Sequence, residues 1–356
     1  MVFHATRQLP GLSPFGGQNL WLVVDFFFVL SGFVLAPSYF RLPSRRWRPL
    51  CALVVRRWAR LWPLAMVTLA GFGFYLSVQA FYERRTGAVG MASALTGETA
   101  LSELGPHLLL LQAILGVPNS WNGPSWSVSV EFLVNVLLAL LFVLLPIRAR
   151  AMVAVALGVV GVALFFPGDE GAIHGPSALA RGWLGISLGL VLRHLHSAVA
   201  SRWLTRSQDL TSAELLLIGV LLAVFLQPSG MRVSLLAGLA AFMLLVLVFS
   251  LEGGGVSRFL ARAPFQALGR WSYGIYLWHA AVLASVGGAV EVLGLDSRLG
   301  LLLVVAGTLG LAGLTYRLIE IPAVRWSRRG WQGGRAVERH LPAPPRRGAS
   351  ADNLPR

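Results

Sequence analysis

Asp25, Glu131 and His279 each stand inside an otherwise apolar run, and His4 stands just ahead of one. Aspartate, glutamate and histidine are the side chains that exchange protons near neutral pH. An ionisable group near the centre of a membrane helix costs about 2.5–3.5 kcal/mol on insertion scales, so it faces the bundle interior and marks either a site or a tie between helices. In "WLVVDFFFVLSGFVLA", Trp21, Asp25, Val29 and Gly32 fall on one helical face. In "NGPSWSVSVEFLVNVLLALL", Ser127, Glu131 and Asn135 follow at i, i+4 and i+8 and make one polar stripe, with Pro124 suited to a first turn. In "LGRWSYGIYLWHAAVL", Ser272, Tyr276 and His279 share a face. Each pattern also suits plain hydrogen bonding between helices.

A second cluster is cationic. In "VVRRWARLWP", Arg56, Arg57 and Arg60 project within about 100° of one another on a helix. Guanidinium groups so placed suit a polyphosphate ligand, and equally suit anionic lipid at an inner leaflet.

These residues need elements to hold them. The chain has 356 residues, 56% of them hydrophobic and 13% charged, and its mean hydropathy is +0.68. Soluble domains carry about 25% charged residues, so the composition points to an integral membrane protein. A span needs about 20 apolar residues. Nine stretches qualify: 19–40, 61–81, 124–146, 151–167, 178–193, 211–227, 233–250, 271–290 and 299–320. The stretch 107–117 is too short to cross and is expected to lie at the interface or to re-enter. The expected fold is all-α, a polytopic transmembrane helix bundle. From the 1.5 Å rise per residue, Asp25 and Glu131 lie roughly 10 Å and His4 roughly 9 Å below the outer boundary, and His279 lies near mid-membrane.

The net charge of +15 comes entirely from arginine, because the chain has no lysine. If the first complete span runs inward, 24 of the 30 arginines fall on the inner side. That is the positive-inside pattern, and it accounts for the charge without nucleic acid. The C-terminus is then cytoplasmic in the plasma (inner) membrane. Residues 327–356, rich in proline and arginine, read as a disordered tail. The single cysteine, Cys51, excludes an intramolecular disulfide and a cysteine-based metal site, and no metal is assigned. Because the first span runs inward, "MVFHATRQLP" reads as the outer half of a truncated first helix. A start roughly 15–20 residues upstream is expected on helix length.

Six pieces then stand in order: "VFHA", "VDFFFVLSGFVLA", "RRWARLWP", "WSVSVEF", "LGRWSYGIYLWH" and "YRLIEIPAVRW". Together, over residues 1–326, they resemble the acyltransferase family 3 membrane proteins, the O-antigen acetylase-like group. The resemblance implies a bundle that takes an acyl group from cytoplasmic acyl-CoA and delivers it to a hydroxyl, often on a sugar. His4 then matches the first-helix catalytic histidine. Asp25, Ser31 and Gly32 match the second-helix motif. Arg56, Arg57 and Arg60 match the motif suited to the CoA phosphates. Trp126 and Glu131 match the Trp-Ser-x-x-x-Glu motif, and Tyr276 and His279 the late Tyr-Leu-Trp-His motif. The family's arginine about ten residues before the histidine is missing, since only three residues precede His4.

The resulting expectation is a membrane O-acyltransferase with acyl-CoA, acetyl-CoA first, as donor co-substrate and no permanently bound cofactor. Its partners are the lipid bilayer and a carbohydrate or glycosylated acceptor. His4 is the base, Asp25 or Glu131 its carboxylate partner, and Ser31, Trp126, Tyr276 and His279 contact substrate. A transporter or flippase for a glycan or lipid-linked intermediate is the competing expectation, since buried carboxylates and many spans suit it equally.

Overall fold

The computed structural model describes residues 9, 19–87, 99–117, 121–165, 175–203, 209–227 and 231–330. Among them every regular element is helical. A single 3-10 turn, Leu20–Leu22, leads into α1 (Val23–Phe40). There follow α2 (Trp47–Thr86), two short helices α3 (Leu104–Leu108) and α4 (Gln112–Leu115), α5 (Ser125–Leu144), α6 (Arg150–Phe165), α7 (Gly175–Trp203), α8 (Thr211–Leu226), α9 (Met231–Phe249), α10 (Gly255–Leu260), α11 (Ala263–Leu293) and α12 (Ser297–Thr315). A π turn, Tyr316–Glu320, joins α12 to α13 (Ile321–Gly330).

Each of the nine expected spans falls on a helix. Among the described residues, five helices have the length and hydropathy to cross a membrane: Leu20–Phe40, Trp47–Thr86, Ser125–Leu144, Ala263–Leu293 and Ser297–Arg329. The helix expected over 61–81 is twice as long, because it begins at Trp47 and carries the arginine cluster within it. Pro49 sits in its first turn, where no amide partner is lost, so nothing in the Arg-rich stretch stops the helix. The stretch 107–117 does not cross. It folds as α3 and α4, joined through Leu110 at φ 55, and Ser129 donates to the Leu110 carbonyl at 2.6 Å.

The surface is apolar and the interior carries charge. Val34, Phe74, Met152 and Leu216 are exposed, whereas Asp25, Arg150, Arg181 and Glu320 are buried. This is the distribution a lipid solvent selects, with polar groups satisfied inside the protein.

α1 packs most closely against α7, and small residues explain why. A Cβ on Gly185 would lie 2.6 Å from the Phe28 Cβ, and one on Gly189 would lie 2.7 Å from the Phe33 nitrogen. Glycine lets the two backbones approach where hydrophobic burial alone gives little drive between helices.

The end of α1 and the start of α10 are closed by side chains. Arg150 on α6 is fully buried and donates to the carbonyls of Tyr39, Phe40 and Leu42 at 3.0, 3.1 and 2.5 Å, and to Leu145 at 3.1 Å. It thus serves the carbonyls that the end of α1 leaves open. Glu214 on α8 accepts from the Val256 and Ser257 amides at 2.9 and 3.2 Å, capping α10. Leu9 is buried against Leu283, Val290 and Val304, toward the end of α11 opposite its arginine-bearing start.

Candidate active site

Two adjoining cavities lie among α1, α2, α5 and α11. The first, about 210 Å³, is lined by Ser31, Arg57, Arg60, Ser127, Glu131 and Tyr276, with Phe27, Phe28, Val34 and others as its apolar wall. The second, about 160 Å³, is lined by Ser38, Tyr39, Arg56, Arg57, Arg60 and Asn135. Leu35, Arg57 and Arg60 belong to both linings, so the arginines stand where the two meet.

Arg57 is fixed on both sides. Its Nη2 pairs with the Glu131 carboxylate and donates to the Ser31 Oγ at 3.0 Å. The pair is only partly buried, at 18% and 19% side-chain exposure, so water and ligand can reach it. Glu131 is held from its own helix as well, since Asn135 donates to its backbone carbonyl at 2.7 Å. Asn135 also accepts from Tyr39 through its Oδ1 at 2.5 Å, and this bond closes the wall of the second cavity. The expected polar stripe Ser127, Glu131, Asn135 therefore faces the cavities along its whole length.

α11 meets this stripe at its first member, where Tyr276 Oη and Ser127 Oγ lie 2.8 Å apart. Tyr273, one turn back, donates to the Leu61 carbonyl at 2.6 Å and fastens α11 to α2. Hydroxyls, a carboxylate and guanidinium groups thus line one continuous space. Such a lining can orient a hydroxyl acceptor, hold an anion and support proton transfer.

Asp25 is placed differently. Its carboxylate receives a bidentate grip from Arg181, with Nε and Nη2 each at 2.7 Å, and both side chains are buried. The Arg181 guanidinium lies over the rings of Trp21 and Trp126, at 4.8 and 5.3 Å from their centroids. Trp126 is therefore beside the Asp25–Arg181 pair, and neither Asp25 nor Trp126 is among the residues lining the two cavities. His279 is buried, with its Nδ1 2.5 Å from the Tyr276 carbonyl of its own helix. It follows Tyr276 on the same helix, but the cavity lining takes Ser272, Tyr273 and Tyr276 from that helix and not His279. His4 lies outside the described residues.

Arg181 is the partner that sequence reading passed over. Its signal is a charge within the apolar stretch "SALARGWLGISLGLVL". Ser127 was visible in the polar stripe, yet its contact with Tyr276 joins positions 149 residues apart and has no local signature.

A family model described as an acyltransferase domain, Acyl_transf_3, matches residues 10–317. The chain belongs to acyltransferase family 3. It is also 27% identical over 286 residues to "Acyltransferase MdmB" of Streptomyces mycarofaciens, covering 74% of this chain and 68% of that protein. No solved structure matches. The protein is accordingly an enzyme that transfers acyl groups, built as a helical membrane bundle. In this acyltransferase, the arginine cluster, Ser31, Glu131 and Tyr276 share one lining, while Asp25 and Trp126 gather around Arg181 beside it.

Proposed function

We propose that the protein moves an acyl group, acetyl in the simplest case, from cytoplasmic acyl-CoA to a hydroxyl of a carbohydrate or glycosylated acceptor. The observation that carries this reading is the junction of the two cavities at Arg57 and Arg60, with anion-binding groups on one side and Ser127, Glu131 and Tyr276 on the other. Arginine forks suit the phosphates of the donor, and the second cavity lies on the side of the arginine-rich α1–α2 turn, read as cytoplasmic in the plasma (inner) membrane. The acyl thioester would then reach the first cavity.

In the step itself the acceptor oxygen bonds to the thioester carbonyl carbon, and the carbon–sulfur bond breaks. CoA leaves as thiolate. The proton of the hydroxyl passes to a base, His4 in this reading, and then to the departing sulfur. Both carboxylates considered as partner to that histidine are paired with an arginine, but Glu131 lines the cavity and is partly exposed whereas Asp25 is buried outside it, which favours Glu131.

The test is consumption of labelled acetyl-CoA by the purified protein across glycan and glycoside acceptors. Product carrying the label on an acceptor oxygen is the expected result. Turnover unchanged by His4→Ala would remove the histidine from the mechanism, and failure to bind or consume any acyl-CoA would remove the donor.

A further inference from the structure

Glu320 is a carboxylate with an unusual position. It ends the π turn Tyr316–Glu320, its side chain is 1% exposed, and neither of its oxygens receives a hydrogen bond. Its ionic partner is Arg60, whose Nη1 lies 3.6 Å from Oε2, beyond hydrogen-bond length. Arg60 is 41% exposed at its side chain and lines both cavities. The contrast with its neighbour decides the matter. Arg57 is hydrogen-bonded to Ser31 and paired with Glu131, so it is committed. Arg60 is held by charge alone and is free to turn.

The π turn also explains how the carboxylate arrives there. The extra residue shifts the i→i+4 ladder, and the Ile321 amide bonds to the Tyr316 carbonyl. Pi turns of this kind cluster at functional positions. A buried carboxylate without donors is costly to keep, and the fold retains one facing the exchangeable arginine.

We propose that Glu320 is a positioning residue that competes with the donor for Arg60. With no donor bound, it tethers the Arg60 guanidinium to the cavity wall. When acyl-CoA enters, a donor phosphate takes Arg60 from Glu320. This rests on the acyl-CoA reading given above.

The experiment is CoA binding by calorimetry to the full-length protein in detergent. Glu320→Gln keeps the shape and removes the competing charge, so CoA should bind about three- to tenfold more tightly. In an Arg60→Gln background the same substitution should change nothing. Glu320→Asp, which draws the carboxylate back by one methylene, should shift affinity in the same direction by less and guards against a folding defect in the glutamine variant. Unchanged or weaker CoA binding in both Glu320 variants overturns the proposal, as does an equal gain without Arg60. A wild-type protein that does not bind CoA would overturn the donor reading itself, and this proposal with it.

Discussion

Arg57 and Glu131 form an ion pair at the junction of the two cavities, and the same guanidinium nitrogen reaches Ser31 on a third helix. One side chain therefore sets the positions of α1, α2 and α5 at the point where the two cavities meet. Glu131→Gln should lower acyl transfer by about 10²-fold or more, as expected for a group in the proton pathway. CoA affinity should change by less than about threefold, because the arginines remain. Transfer rate and CoA binding measured side by side check this. Equal losses in both would make Glu131 a donor-binding group instead.

Arg57→Lys should not rescue function. Lysine carries the charge, but its shorter side chain and point-like ammonium cannot put a donor where the Arg57 Nη2 serves Ser31 and Glu131 together. Transfer should fall well below wild type while the protein still extracts and purifies as a folded bundle, a combination read from labelled-product yield and size-exclusion profile.

The Asp25–Arg181 pair should be a stability element. Removing one partner leaves a buried charge uncompensated, at a cost of about 3–5 kcal/mol. Asp25→Ala and Arg181→Ala should each lower the thermal midpoint in detergent strongly, and the double variant should be less unstable than the sum of the two. Strict additivity would mean that the two side chains do not depend on one another.

Close approach of α1 and α7 gives a graded test. Gly185→Ala places a methyl group 2.6 Å from the Phe28 Cβ and should destabilise by about 1–3 kcal/mol, since neither backbone can yield freely. Gly219→Ala on α8, where a Cβ meets nothing within 4 Å, should be neutral or slightly stabilising. Thermal midpoints of the two variants should separate clearly.

Sequence patterning carried much of this architecture. Lipid demands long apolar runs, so the helices announced themselves, and a charge inside such a run is conspicuous. Glu131 was legible for that reason, and the i, i+4 spacing of Ser127 and Glu131 put both on the cavity side. What pairs with what was not legible. Asp25 read as a candidate partner for a histidine, whereas its carboxylate is taken by Arg181, 156 residues away. Tyr276 and His279 share a motif and a predicted face, yet the His279 ring turns to its own backbone while Tyr276 reaches Ser127. Rotamer choice and long-range pairing depend on how α7 and α11 pack, and periodicity holds no record of that. Helix ends were also hidden. The apolar criterion started this span at 61, but arginine is a good helix former and α2 begins at Trp47, taking in Arg48, Arg56, Arg57 and Arg60.

Three guanidinium groups from three different helices bear on α1. Arg181 of α7 takes Asp25, Arg57 of α2 takes Ser31, and Arg150 of α6 takes the carbonyls of Tyr39, Phe40 and Leu42. From Asp25 to Tyr39 is about 21 Å along the axis at 1.5 Å per residue. A rod moored at three depths from three sides can neither roll nor slide without tearing a cationic contact out of a low-dielectric interior. α1 is thus the keel of the molecule. Changes in the shape of the first cavity fall instead to α11, where Tyr273 and Tyr276 hold by hydroxyl bonds that part and re-form at little cost.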